Sequence, residues 1–299
     1  MDDPIFQHPL AYLLGLEGLA LLRGWAGDYD EKFTRERLNE VRRLLDEPAL
    51  AGHPGVSVAR GSLEDGYRQW APVYDGPNRL FELDEPFVYG IVDNLPPGPA
   101  LDVACGTGRF AEGLVQRGHQ VTGIDGNEGM LAQARRRVPT AEFVLGDLSR
   151  LPVPAESADL AVCTLALSHV RSLPEVMAEF HRVLRPGGHL IISDVHHEQV
   201  FRGSVIAALG PGGEPGLVPT YRHLTGDYLR AALSHGLQVR ACEEPTAVSA
   251  QSVPSAEPDL RELGLWREWP WSLLGLIPQA RDAAWHTPLV INWHFQRSE

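Results

Sequence analysis

An open, doubly wound α/β sheet is the fold class that these 299 residues predict, and three observations carry it. The stretch Ala100-Leu-Asp-Val-Ala-Cys-Gly-Thr-Gly-Arg-Phe110 is a short apolar run that ends in two glycines and feeds a segment of helical composition, the pattern of a buried strand turning into a helix. Apolar runs over 120–125, 141–147, 158–167 and 189–195 follow, each separated by a stretch of helical length, as in repeated strand–helix–strand units. The first three of these strands each carry an acid at or near the end, Asp102, Asp125 and Asp147, and ligands of open α/β sheets bind outside the carboxyl ends of the strands.

Taken in order, residues 10–23 are strongly apolar and long enough for a helix, but too short and too acidic at Glu17 to span a membrane. The acidic flanks argue against a membrane-surface helix, which wants basic ones. A second helix takes Thr34 as its N-cap candidate and runs to Asp46, with Pro48 as its stop. Residues 1–60 therefore read as a helical appendage, which leaves open a homodimer through these helices. Residues 61–97 bring Tyr67, Trp70, Tyr74, Asp75 and Asn78 and then a helix over 85–94. This aromatic segment reads as a lid that either anchors to the core or faces a ligand cation, where an aromatic face contributes about 0.5–2 kcal/mol.

Pro96-Pro97-Gly98-Pro99 punctuates the entry to the core, 98–299. Helices are expected at 109–117 and 128–138, a proline-marked loop after Asp147, and Ser168-His169-Val170 just past the fourth strand. Pro174 suits the first position of the next helix, which ends before Pro186-Gly187-Gly188, and the fifth strand finishes in His196-His197. Residues 198–224, with Gly210-Pro-Gly-Gly-Glu-Pro-Gly, form a loop-like insertion, and 225–235 is a helix with Gly236 as its stop. A sixth strand covers 237–242 and a last β-rich run 288–295. Between them, 246–286 is Pro-interrupted and carries Trp266, Trp269, Trp271 and Trp285. A structureless loop of about forty residues is rare, so helical pieces that contribute to a substrate cover are expected there.

Composition narrows the function. With 26 basic against 39 acidic residues and a net charge of −13, the chain is a poor match for a phosphate backbone. Cys105, Cys163 and Cys242 are too few and too scattered for a disulfide framework or a zinc cluster. An acidic N-terminus and the lack of any long charge-free run make a cytoplasmic protein the expectation.

The acids speak about the ligand. A carboxylate inside a buried strand is costly unless hydrogen-bonded, so Asp102 either caps local backbone N–H groups or faces a ligand cation. Asp125, at the end of the second strand, lies beside the glycine loop and can reach a ribose. Gly106-x-Gly108-x-x-Ala111 also satisfies the loose dinucleotide fingerprint, which keeps an NAD(P)-dependent oxidoreductase as a rival. Against it, Asp102 would repel a pyrophosphate and suits the ammonium of a methionyl group, and Asp147 can accept from an adenine amine.

Four motifs in order, Leu101-Asp-Val-Ala-Cys-Gly-Thr-Gly, Thr122-Gly-Ile-Asp-Gly with Met130, Gly146-Asp147-Leu148 and Leu184-Arg-Pro-Gly-Gly, resemble those of the class I S-adenosylmethionine-dependent methyltransferases of small-molecule type. The resemblance is specific over 98–196 and weaker from Tyr67 to the C-terminus. It implies a Rossmann-like, seven-stranded sheet whose last strand slots antiparallel between the fifth and sixth, and S-adenosylmethionine as methyl donor with S-adenosylhomocysteine as product. The methionyl group would then meet Asp102, Ala104, Gly106 and Gly108, the ribose Asp125 and Gly126, and the adenine Asp147 and Leu148. Met130 either packs near that adenine or fills the core, while Thr164 and Tyr67 complete the cofactor set.

Methyl transfer is an in-line displacement helped mainly by alignment of the nucleophile, and a protonated acceptor also needs a base, for which a histidine with an ordinary pKa near 6.5 is suited. His169 ranks first, since the family arrangement turns it to the methyl group, His196 second, with His197 standing where relatives often have proline, and His223 third, on the substrate side. Trp293 and the Trp-rich stretch suggest a hydrophobic pocket for a small-molecule acceptor, with O-, N- and C-methylation all open. A metal site at Asp194, His196 and His197 is disfavoured because adjacent strand residues point to opposite faces. A non-catalytic methyltransferase-like subunit that binds a partner through its first helix remains the other rival.

Overall fold

The computed structural model describes residues 5–70, 75–76, 79–210, 212–246, 259–285 and 287–299; Tyr74 and Asn78, assigned above to the lid, lie outside them. Seven strands form one sheet: β1 (Pro99–Val103), β2 (Gln120–Asp125), β3 (Glu142–Leu145), β4 (Ala158–Thr164), β5 (Leu184–Val195), β6 (Leu237–Glu243) and β7 (Val290–Arg297). Their order is β3-β2-β1-β4-β5-β7-β6. Pairs from β3 across to β5 are parallel, whereas β7 runs antiparallel to both β5 and β6. This is the doubly wound sheet with an inserted last strand that the sequence predicts. The order reverses between β1 and β4, which opens a crevice at their carboxyl ends.

Alternation along the strands divides the core between the two faces. Leu101, Val103 and Ile192 join Met177, Phe180, Trp293 and Phe295 on one side, while Ala100, Val162 and Ile191 join Phe110, Leu114 and Leu131 on the other. Asp102 shares the parity of Ala100, whose face packs beneath the helix Arg109–Gln116.

Several boundaries depart from the sequence reading for physical reasons. The second helix spans Glu31–Asp46 because Asp30, not Thr34, is its cap, its carboxylate accepting from Phe33 N at 2.8 Å. The fourth strand stops at Thr164 because Leu165 turns left-handed, at φ +52°. The helix expected over 85–94 starts earlier, at Arg79–Val92, and carries Pro86 inside it.

The chain divides into two compact units, one of residues 1–62, 203–218 and 246–287, the other of 63–202, 219–245 and 288–299. The first carries more than helices. Ile5–Gln7 and Val56–Arg60 pair with each other and with Pro215–Leu217 and Ala207–Leu209 in a four-stranded sheet, so the Gly- and Pro-rich stretch read as loop supplies two of its strands. Trp269, Leu273, Ile277 and Ala280 pack with Leu13, Leu16 and Ala20 of the helix Pro9–Trp25, which places part of the Trp-rich region in this unit's own core. Buried there, Glu17 meets Arg37 at 2.9 Å, and burial pushes its carboxyl up to about 7 against the pull of Arg37. No helix among the described residues is long and apolar enough to cross a membrane.

Candidate active site

The crevice belongs wholly to the second unit. Beyond β1, the chain passes through Ala104, Gly106 and Gly108 with φ of +56°, +54° and +84°. Such left-handed backbone is free for glycine and strained for alanine, and strain of this kind collects at functional sites. The turn aims the Gly106 N–H at Asp125, whose Oδ2 accepts it at 2.8 Å, while Oδ1 accepts from Asn127 N at 2.8 Å. Asn127 in turn caps the helix Glu128–Arg137 by accepting from Met130 N at 3.2 Å. Burial pushes the Asp125 carboxyl up and the two N–H groups hold it back.

Asp102 is all but buried and accepts from Ala111 N, in the first turn of Arg109–Gln116, at 2.7 Å. Its carboxyl is pushed up to about 7 by burial, against the Ala111 N–H and the nearby Arg109 charge, with Asp125 pushing the same way as burial. The local backbone contact, one of the two readings offered for Asp102, is present. Arg109 itself is spent on Asp84, through two hydrogen bonds of 2.7 and 2.9 Å, and on Glu85 at 2.9 Å. On the β3 side, Asp147 Oδ1 accepts from Ser149 N at 2.7 Å and from the Ser149 hydroxyl, and Oδ2 takes no hydrogen bond among the described residues.

Across the crevice, Leu165 is another strained non-glycine residue, its N–H donating to Ser193 O at 2.7 Å. A single 3-10 turn, Leu167–His169, then presents the imidazole. His169 Nδ1 lies 2.7 Å from the Pro219 carbonyl and Nε2 lies 2.8 Å from the Tyr67 hydroxyl. A carbonyl oxygen only accepts, so Nδ1 carries the proton and Nε2 accepts from Tyr67; the tautomer is assigned from these partners. Tyr67 sits on the helix Leu63–Trp70, which is also tied down where Asn127 Nδ2 donates to Glu64 O at 3.2 Å.

These walls enclose a cavity of about 660 Å³. Tyr67, Ala104, Gly106, Asp125, Gly126, Met130, Asp147, Leu148, Thr164 and His169 all line it, so ten residues named from the sequence meet in one place. Asp102 and Gly108 do not line it. Gly108 owes its identity to close packing as well as to φ, since a Cβ there would meet Ala134 at 3.1 Å.

Three other candidates lie elsewhere. His196 is buried, caps the short helix His197–Phe201 by accepting from Glu198 N at 3.3 Å, and faces Glu244 at 3.3 Å; as the cap of that helix it does not line the cavity. His223 Nε2 donates to Val170 O at 2.7 Å. Trp293, expected in the acceptor pocket, is 1 % exposed and stacks on Phe295 at 5.2 Å in the core. Alternation marks a strand's two faces but not which face borders a cavity. The sequence reading did not single out Leu165, Asn127 or Pro219. Asn127 had a signal, a cap residue just before a helical run; the other two had none. No group of three metal-ligating side chains occurs among the described residues.

Comparison with known proteins gives a consistent picture. Residues 101–192 match a family model described as a methyltransferase domain. A demethylmenaquinone methyltransferase of Renibacterium salmoninarum is 30% identical over 203 residues, 66% of this chain and 77% of that protein. A malonyl-[acyl-carrier protein] O-methyltransferase of Serratia marcescens is 31% identical over 137 residues, 46% of this chain, which spans about half (54%) of that relative's length. Among solved structures, an S-adenosylmethionine-dependent methyltransferase from Mesorhizobium loti superposes with a TM-score of 0.50 at 22% identity, covering 72% of this chain and all of that one (100%). The [4+2]-cyclase SpnF superposes at 0.52 with 18% identity, covering 82% of this chain and 99% of its own; these two likenesses speak to the fold.

Proposed function

The chain belongs to the class I S-adenosylmethionine-dependent methyltransferases, and we propose that it moves a methyl group onto a small-molecule acceptor in the 660 Å³ cavity, with His169 as the base. The observation that carries this reading is the pairing of two acids on one wall with a hydrogen-bond-accepting imidazole on the other. The volume lies in the range of roughly 300–1,000 Å³ usual for small-molecule sites. Among the described residues Asp125 accepts one N–H per oxygen, which leaves each oxygen a lone pair for a ribose hydroxyl. In this reading Asp147 Oδ2 accepts from an adenine amine, with Ile124, Met130 and Leu148, which line the cavity, as apolar walls for the base. Asp102 lies behind the cavity lining and holds the first turn of the helix Arg109–Gln116 in place.

The dinucleotide rival fits this geometry poorly. A pyrophosphate needs the N-terminal N–H groups of the helix after the glycine loop, and here Asp102 occupies the one at Ala111. When bound, S-adenosylmethionine supplies a methyl group on a positively charged sulfur. Everything else falls to the protein. Tyr67 and the helix Leu63–Trp70 help wall the cavity, Thr164 and Leu165 line it, and His169 is the base that ends with the extra proton.

For the acceptor, the wall beyond His169 combines apolar Val170 and Val176 with Arg171, Ser172 and Glu175. Together with relatives named for demethylmenaquinone and malonyl-[acyl-carrier protein], this supports an acceptor with both apolar and polar parts, and the accepting imidazole suits one that carries an ionisable hydroxyl. A thermal-shift panel tests the reading. S-adenosylhomocysteine should raise the melting temperature and NAD should not; stabilisation by NAD alone would overturn it.

A further inference from the structure

Both ring nitrogens of His169 are already engaged, and this decides how a proton can reach the base. Nδ1–H donates to Pro219 O at 2.7 Å and Nε2 accepts from Tyr67 at 2.8 Å. An acceptor that handed its proton straight to Nε2 would first have to evict Tyr67. A phenol hydroxyl that donates can also accept, and Tyr67 lines the same cavity as His169.

We propose that Tyr67 is a catalytic residue that relays the acceptor's proton to His169. The inference rests on the methyl-transfer reading above. The acceptor's nucleophilic atom gains the methyl carbon as the carbon–sulfur bond breaks, with the bonding pair staying on sulfur. The acceptor's proton passes to the Tyr67 oxygen while Tyr67's own proton passes to His169 Nε2. The acceptor product and the thioether are then neutral, Tyr67 is regenerated, and the positive charge that entered on sulfur ends on the imidazole.

The surroundings suit that end state. Each N–H of the charged ring has an acceptor in place, Pro219 O and the Tyr67 oxygen. Burial pushes the Asp194 carboxyl up, while Val195 N at 2.7 Å, the charge of a protonated His169 and the Tyr228 hydroxyl at 3.0 Å hold it back. The segment after Pro219 braces the turn that carries the base: Tyr221 N donates to Ser168 O at 2.6 Å and His223 Nε2 to Val170 O at 2.7 Å. His223, ranked for substrate contact by sequence, is thus a positioning residue.

The test uses the full chain labelled with nitrogen-15 in histidine and saturated with S-adenosylhomocysteine, alongside methyl transfer from S-adenosylmethionine to a panel of phenols and hydroquinones. Wild type should show an unprotonated, hydrogen-bonded Nε2, and Tyr67→Phe should keep that tautomer while its Nε2 resonance moves. Tyr67→Phe should cut kcat by about 10²-fold, the lower end of what one proton-transfer group supplies, and leave the KM for S-adenosylmethionine within about 2-fold. Since the two groups act in series, the double variant with His169→Asn should be no slower than His169→Asn alone. A protonated Nε2, a Tyr67→Phe variant altered only in KM, or a double variant slowed by the product of the single effects would overturn the relay. Wild type inert toward the whole panel, with its Nε2 signature intact, would sink the methyl-transfer reading and the relay with it; an active wild type lacking the signature would sink the relay alone.

Discussion

The two walls of the cavity are held by different kinds of contact. On the β1–β3 side the acids accept from backbone of their own strand–helix–strand unit: Asp147 from Ser149 and Asp125 from Asn127, each 2 residues on, Asp125 also from Gly106, 19 residues back, and behind the wall Asp102 from Ala111, 9 residues on. On the β4 side, His169 depends on Tyr67 and Pro219, 102 and 50 residues away. A wall made of short loops is in place once the strands pair. A wall made of remote partners also requires the helix Leu63–Trp70 and the segment after Pro219 to be docked, and the entropy of ordering them must be met. The donor wall should therefore tolerate changes that the acceptor wall does not.

Four substitutions break or sharpen that contrast. The largest effect is expected from His169→Asn, which should slow methyl transfer by roughly 10²–10⁴-fold while leaving the calorimetric affinity for S-adenosylhomocysteine near that of wild type; a matching loss of affinity would mean that the two walls are one. Next, Asp125→Asn should weaken S-adenosylhomocysteine binding by about 1.5–3 kcal/mol, the worth of hydrogen bonds to a charged group, and unchanged binding would remove the ribose assignment.

Asp102→Asn is read as stability against pH. The folded chain keeps this carboxyl protonated up to about 7, against 3.8 for an ordinary aspartate. The folded state therefore binds the extra proton across that window, and stability falls as pH rises through it. Asparagine still offers Ala111 N an oxygen but carries no charge. The variant should melt above wild type at pH 8, with the gap closing as pH is lowered toward 4, and a gap independent of pH would contradict the buried-charge account. Glu17, also raised to about 7, remains in the variant and leaves a residual slope. The smallest effect belongs to His223→Asn, which loses one brace of the base turn worth about 0.5–1.5 kcal/mol. It should lower kcat modestly with S-adenosylhomocysteine affinity unchanged; a rise in the acceptor's KM alone would restore it to substrate contact.

What could be read from the sequence follows the same division. The strands, the glycine turn and Asp102, Asp125 and Asp147 are visible in periodicity and spacing because their partners lie within one strand–helix–strand unit. Tyr67 and His169 were each singled out, but nothing in the order of residues says that Tyr67 donates to His169 or that Pro219 sets its tautomer. His196 was misplaced because a helix starts at His197 and makes it a cap. Trp293 was misplaced because its face packs on Phe295 and Tyr228. The four-stranded sheet of the first unit escaped notice for the same reason, since Val56–Arg60 pairs with Pro215–Leu217 across more than 150 residues.

Co-crystallisation with S-adenosylhomocysteine tests the central claim most directly. The account predicts ribose hydroxyls within hydrogen-bond distance of both Asp125 oxygens, the adenine amine on Asp147, and the sulfur opening toward Tyr67 and His169. A ligand seated with its ribose away from Asp125, or with its sulfur turned from the Tyr67–His169 pair, would contradict it.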